Sequence, residues 1–170
     1  MLQLSQETPL SDRPPSPDLS PFLSQRPLST QIDWVIHPGA SLQKKCWPLE
    51  RFQAVATVLS QTQQVVWINP GNLPAPAGIQ EETPASLNGL ISTIASARNF
   101  LGNNSAPMHV ADIIGLSGLI LNGSSPTHWD PYWRPKNWHA IQDNSPNSRH
   151  ANSATTVEES RPPDTVAPTG

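Results

Sequence analysis

The chain has 170 residues, a formal net charge of −3 and 20 prolines, so proline is about twice as frequent as in an average chain. A single cysteine, Cys46, excludes an internal disulfide and a cysteine-based zinc cluster. No basic run suits nucleic acid or an anionic membrane, and no apolar stretch nears the ~20 residues of a membrane span.

Residues 1–30 are rich in Pro, Ser and Gln, as in Pro14-Pro15-Ser16-Pro17, and bury too little apolar surface to offset chain entropy. They are expected to form a disordered tail, and residues 142–170 a second one. The tails hold Arg13, Arg26, Arg149 and Arg161 against Glu7, Asp12, Asp18, Asp143, Glu158, Glu159 and Asp164, an imbalance equal to the whole net charge of −3. The block 31–141 is neutral and holds all six tryptophans. It is expected to be the one folded domain. The N-terminus has neither the charged start nor the apolar run of a secretory signal. The expected location is the cytoplasm, with at most a peripheral membrane contact and no nucleic-acid partner.

Within the block, Ile32 to Ile36 is a short apolar run stopped by His37-Pro38-Gly39, which predicts a strand. Pro48 then opens a helix carrying Phe52, Val55, Ala56 and Leu59 on one face. Gln64 to Ile68 is a second strand, ended by Asn69-Pro70-Gly71, and a proline-rich loop runs on through Pro84. Ser86 to about Ala97 is a second helix, with Leu87, Leu90, Ile91, Ile94 and Ala95 at helical spacing. Asn99 to Leu101 is a third strand. After the turn Gly102–Ala106, Pro107 starts a third helix, which Gly115 stops. Gly118 to Leu121 is a fourth strand. The alternation predicts an α/β fold: a single Rossmann-like domain with a parallel sheet, helices on both faces and ligands outside the C-terminal strand ends.

Three loops fall at those ends and hold the unusual residues. In Gly102-Asn103-Asn104-Ser105-Ala106-Pro107-Met108-His109 a glycine leaves a strand and a helix begins. Free N–H groups and a positive dipole end suit a phosphate or pyrophosphate there. The same residues also serve a plain cap by Asn104 or Ser105. In His37-Pro38-Gly39-Ala40 and Lys44-Lys45-Cys46-Trp47-Pro48, Gly39 allows close backbone approach and a lysine can neutralise phosphate; a solvated lysine pair is the plainer alternative. His109 can donate to a ligand oxygen or be a satisfied, partly buried histidine. The third loop, Asn122 to Trp133, is polar and aromatic, and either closes over a ligand or lies pinned to the surface by Trp129 and Trp133. His37, His109, His128 and His139 lack metal-ligand spacing, so no metal and no cofactor are expected. Cys46 has no partner base in the sequence and is expected to be inert.

Together these loops resemble the C-terminal half of glycosyltransferase family 9, the lipopolysaccharide heptosyltransferases. The family's H/C-P-G-A…K-R-W-P is matched by His37-Pro38-Gly39-Ala40 and Lys45-Cys46-Trp47-Pro48. Its G-N-D-S-G-P-M-H-L-A is matched by Gly102 through Ala111, and its L-F-G-P-T…W-x-P loosely by Leu121 through Ser125 and Trp129-Asp130-Pro131. The resemblance covers about residues 32–135. It implies the donor-binding half of a GT-B fold and a nucleotide-diphosphate sugar, of ADP-heptose type, as ligand. It assigns donor contacts to His37, Gly39, Ala40, Lys45, Asn104, Ser105, Ala106, Pro107, Met108 and His109. Lys45 would meet the donor phosphate, residues 105–108 would present helix-start N–H groups, and Asn104 would stand where the family aspartate contacts the sugar.

Asn104 keeps an acceptor oxygen but loses the charge, Ala106 adds a methyl in place of glycine, and Asp112 stands where a small apolar residue is usual. The family's general base and most of its acceptor site belong to an N-terminal half that residues 1–30 are too short to form. No catalytic residue is therefore expected in this chain. Transfer would require an N-terminal half on another chain, and an uncovered half-cleft would favour self-association. The alternatives are a non-catalytic nucleotide-sugar binding module and a degenerate fragment without activity.

Overall fold

A computed structural model describes residues 15–23, 32–122, 130–133 and 135–142. Six strands run through it: Ile32–His37 (β1), Val65–Ile68 (β2), Gln80–Glu82 (β3), Ala97–Asn103 (β4), Ser117–Asn122 (β5) and Trp138–Gln142 (β6). Four helices accompany them: Ser20–Leu23 (α1), Leu49–Leu59 (α2), Leu87–Ala95 (α3) and Ala106–Ile114 (α4). The strands form one sheet in the order β3-β2-β1-β4-β5-β6, and every neighbouring pair is parallel.

Side chains alternate across a strand, so adjacent apolar residues of a central strand serve opposite faces. Val35 packs with Phe100, Ile94, Met108 and Ile120, beneath α3 and α4. Its neighbour Ile36 packs with Phe52, Ala56, Trp67 and Leu101, beneath α2. Both faces are thus covered, as a continuously apolar parallel strand requires. Gly118 makes room for this packing. A Cβ there would run into the Phe100 carbonyl oxygen and lie 2.7 Å from the Trp138 ring. Phe100 and Trp138 meet edge to face, with centroids 6.0 Å apart.

The four expected strands and three expected helices are present, with three kinds of difference. Two strands went unread. β3 lies inside the expected proline-rich loop and is made of Gln80, Glu81 and Glu82, with no apolar signal; backbone pairing with β2 holds it. β6 buries only Trp138 and leaves its other residues exposed at the sheet edge. It also carries regular structure to Gln142, the first residue of the expected C-terminal tail. Element ends moved as well. β4 begins at Ala97, because Ala97 pairs with Ile32 and is buried, so α3 stops two residues sooner. α4 begins at Ala106, with Pro107 second in the helix, because Ser105 takes the extended cap conformation. Third, one helical turn, α1, forms inside the segment expected to be irregular, beside α3. Gly115 ends α4 in the left-handed conformation, φ 94°, as its position predicted.

Among the described residues no helix is long and apolar enough to cross a membrane.

Candidate functional site

β1 and β4 are adjacent, but the chain leaves β1 toward α2 on one face and leaves β4 toward α4 on the other. The two connections diverge and open a crevice at the C-terminal strand ends, the topological switch point of a doubly wound sheet. A cavity of about 720 Å³ lies there, within the size range of small-ligand sites.

Three loops wall it. The first follows β1 and brings His37, Gly39, Ala40, Lys45 and Cys46. It is held by one buried side chain: Asn103, at the tip of β4, donates from Nδ2 to the Pro38 carbonyl (2.6 Å) and accepts the Trp47 N–H at Oδ1 (2.8 Å). Both ends of the 38–47 loop are therefore tied to β4 by one amide. Between them a 3-10 turn, Gln43–Lys45, sets Lys45 half-buried at the cavity wall, while Lys44 is exposed and does not line it. Gly39 lies so close to the next loop that a Cβ would sit 2.8 Å from Pro70 Cγ.

That next loop follows β2 and contributes Pro70, Asn72 and Leu73. Asn69 shapes it, accepting the N–H groups of Gly71 (2.8 Å) and Leu73 (3.0 Å) at Oδ1 and donating to Glu81 on β3 (3.0 Å). Sequence reading took Asn69-Pro70-Gly71 only as a strand stop, since nothing local shows which cavity a turn faces. A second hollow of about 360 Å³ adjoins this wall, sharing His37 and Pro70 and reaching Ser86 and Leu90 of the α3 region.

The third wall is Asn104, Ser105, Ala106, Pro107 and His109. Neither Asn104 nor Ser105 caps α4 in the expected way. The Ser105 hydroxyl donates to the Asn103 carbonyl (3.3 Å) and makes no side-chain cap. Asn104 instead donates to Asp130 (3.1 Å). Two of the expected N–H donors are lost. Pro107 has none, and the Met108 N–H is taken by the Ser105 carbonyl (3.0 Å). Met108 is fully buried in the core and is absent from the cavity wall. Of the helix-start residues expected to offer N–H groups, this leaves the backbone of Ser105 and Ala106 on the cavity wall. The other nine expected contact residues all line the one cavity.

Among the described residues of the wall, Lys45 is the only Lys, Arg, Asp or Glu. His37 is 8% exposed, and burial pulls its pKa down to about 4, against smaller opposing effects of backbone hydrogen bonds at Gly39 and His37 itself. Burial also lowers the His109 pKa, partly countered by the carboxylates of Asp112 and Asp130. Cys46 bonds weakly to the Leu42 carbonyl (3.6 Å), and burial raises its thiol pKa, in keeping with an inert residue.

Asp112, at odds with its place in a helix core when read in sequence, has at least three partners among the described residues. It accepts the backbone N–H groups of Tyr132 (2.9 Å) and Trp133 (2.8 Å) and the Trp138 indole N–H (3.1 Å). It anchors the last part of the third loop and β6 beneath α4. Residues 123–129 of that loop lie outside the described residues, and with them the expectation that it closes over a ligand or is pinned by Trp129. Among the described residues no cluster of His, Cys, Asp or Glu could hold a metal.

A parallel 3-2-1-4-5-6 sheet with its cavity at the switch point defines a Rossmann-like, doubly wound α/β domain. The chain belongs to glycosyltransferase family 9 (heptosyltransferase), whose family model matches residues 8–157. Solved structures agree on the fold. The E. coli heptosyltransferase WaaC with ADP superposes with a TM-score of 0.60 at 14% identity, over 75% of this chain and 42% of that one. The E. coli ADP-heptose lipopolysaccharide heptosyltransferase II gives 0.56 at 22% identity, over 72% and 42%. A family 9 glycosyltransferase from Veillonella parvula gives 0.53 at 23% identity, over 72% and 38%. The chain therefore spans about two fifths of the length of these structures. No characterised protein matches it in a comparison of sequences.

Proposed function

We propose that this chain binds a nucleotide-diphosphate sugar, of ADP-heptose type, in the cavity between β1 and β4, as the donor half of a heptosyl transfer to a lipopolysaccharide-type acceptor. The observation that carries the reading is the convergence of His37, Lys45, Asn104, Ser105, Ala106 and His109, from two separate motifs, on one cavity of ligand size at the switch point. E. coli heptosyltransferase WaaC, similar to this chain in fold, is described with ADP in one structure and with ADP-2-deoxy-2-fluoro heptose in another.

In this reading the diphosphate lies between Lys45 and the start of α4. The helix dipole and the N–H groups of Ser105 and Ala106 add to the lysine charge. His109, half-buried one turn into α4, donates to a phosphate oxygen. When the acceptor hydroxyl attacks the anomeric carbon, the carbon–oxygen bond to the diphosphate breaks and the acceptor proton passes to a base. Lys45 and the helix start stabilise the charge on the departing nucleotide, so no metal is required. The base and the acceptor site belong to a second Rossmann-like half facing this one. The setting is the cytoplasm, at most at the membrane surface.

A second reading, a binding module without transfer, draws on Ala106, whose side chain is exposed at the point where backbone meets diphosphate. Isothermal titration of the full chain with ADP-heptose, ADP, UDP and GDP tests both. Binding confined to the adenine series, weakened at least about tenfold in Lys45→Ala and by added salt, is the expected result. A folded chain that binds none of them refutes the donor site. Transfer that stays absent after adding a family N-terminal half, with binding intact, favours the module.

A further inference from the structure

Asp130 lies between the tips of β4 and β5. One of its carboxylate oxygens accepts Nδ2 of Asn104 (3.1 Å) and Nδ2 of Asn122 (2.9 Å). Asn104 is 4% exposed and Asn122 is 2% exposed, so both amides are locked in place. A carboxylate can only accept, so it selects the NH₂ side of each amide. For Asn104 this settles the orientation of the whole group. With Nδ2 committed to Asp130, the carbonyl oxygen is the atom left for the cavity that Asn104 lines, and it has no hydrogen-bond partner among the described residues.

We propose that Asp130 is a positioning residue of this pocket. By holding the Asn104 amide N–H it presents the Asn104 carbonyl oxygen as an acceptor for a ligand hydroxyl one group away from the diphosphate. The placement follows from chain order, since Asn104 immediately precedes the Ser105–Ala106 backbone assigned to the diphosphate. This rests on the donor-site reading above. It also accounts for an amide rather than a carboxylate at 104. Two carboxylates at this spacing would repel, whereas an amide and a carboxylate pair and still leave one acceptor facing the ligand.

The test is titration of the full chain and three variants, Asp130→Asn, Asn104→Asp and the exchange Asn104→Asp/Asp130→Asn, with ADP-heptose, ADP and AMP. Thermal melting shows which variants are folded. Asp130→Asn is isosteric and removes the carboxylate that orients the amide; Asn104→Asp creates the like-charge pair. Each is expected to weaken ADP-heptose binding about tenfold, the value of one hydrogen bond. The exchange restores one amide and one carboxylate, now reversed, with acceptor oxygen again toward the cavity, and is expected to recover most of the loss. A residue that merely pinned the loop would lower the melting temperature of each single variant in step with its loss of binding. Losses for ADP-heptose alone place the hydroxyl on the sugar; equal losses for ADP place it on the ribose. Wild-type affinity in Asp130→Asn, or an exchange no better than the single variants, overturns the proposal. Failure of the unaltered chain to bind any of the three overturns the donor reading and this proposal together.

Discussion

Acidification should unfold this protein in part through one side chain, His37. It ends β1 at the mouth of the cavity and is 8% exposed. Its Nδ1 is buried and has no partner of good hydrogen-bond geometry among the described residues. Burial holds the folded-state pKa at about 4, against 6.5 for an ordinary histidine. The native state therefore keeps the imidazole neutral where the unfolded chain takes up a proton. Stability from this group is full above pH 6.5 and is lost progressively as the pH falls from 6.5 toward 4. Between pH 7 and pH 5 the shift removes about 2 kcal/mol, at about 1.4 kcal/mol per pKa unit. With a urea dependence of about 2 kcal/mol per molar, the unfolding midpoint should fall by about 1 M over that interval. His37→Gln keeps a polar side chain but cannot titrate. Its own midpoint should fall less by that amount, whatever its stability at pH 7, because all other titrations are common to both chains. Urea unfolding followed by tryptophan fluorescence at the two pH values decides it. Equal pH slopes in the two proteins would refute a neutral buried His37.

Two further substitutions probe what holds β5, β6 and the segment before β6. Asp112→Ala leaves the Tyr132 and Trp133 N–H groups and the Trp138 indole without their acceptor; a loss of about 3 kcal/mol is expected, read in chemical denaturation together with a change in tryptophan emission. Gly118→Ala drives a methyl into the Phe100 carbonyl and the Trp138 ring. It should cost about 1–3 kcal/mol as a lowered midpoint, and an unchanged midpoint would mean that β5 and β6 shift freely. The binding losses expected for Lys45→Ala and for the Asp130 series complete the set.

The sequence was most legible where a local rule has one outcome. Val35 and Ile36 beside a Gly-Pro stop could only be a buried strand. The Phe52–Leu59 stripe could only be one helix face, and Gly115 a left-handed helix end. The loop residues His37, Lys45, Asn104 and His109 stood out because they are polar or charged beside apolar runs, and a parallel sheet places such loops at one end. What sequence could not show was which backbone and side-chain groups those residues already satisfy. Met108 read as part of the site, yet its side chain fills the core and its N–H is spent on Ser105. Asn103 falls only within the turn Gly102–Ala106 in the sequence, yet it ties both ends of the 38–47 loop to β4.

By itself, then, the order of elements determined a doubly wound sheet, and the spacing of two motifs determined that both lie at its C-terminal edge. Pairing along 3-2-1-4-5-6 placed those motifs across a single crevice, a matter of which strands become neighbours, which no local pattern encodes. Likewise only the folded chain joins Asp130 to Asn104 and Asp112 to Trp138, each across 26 residues. Hydrogen bonds to a carboxylate are set by position in space, and hydrophobic periodicity carries no record of them.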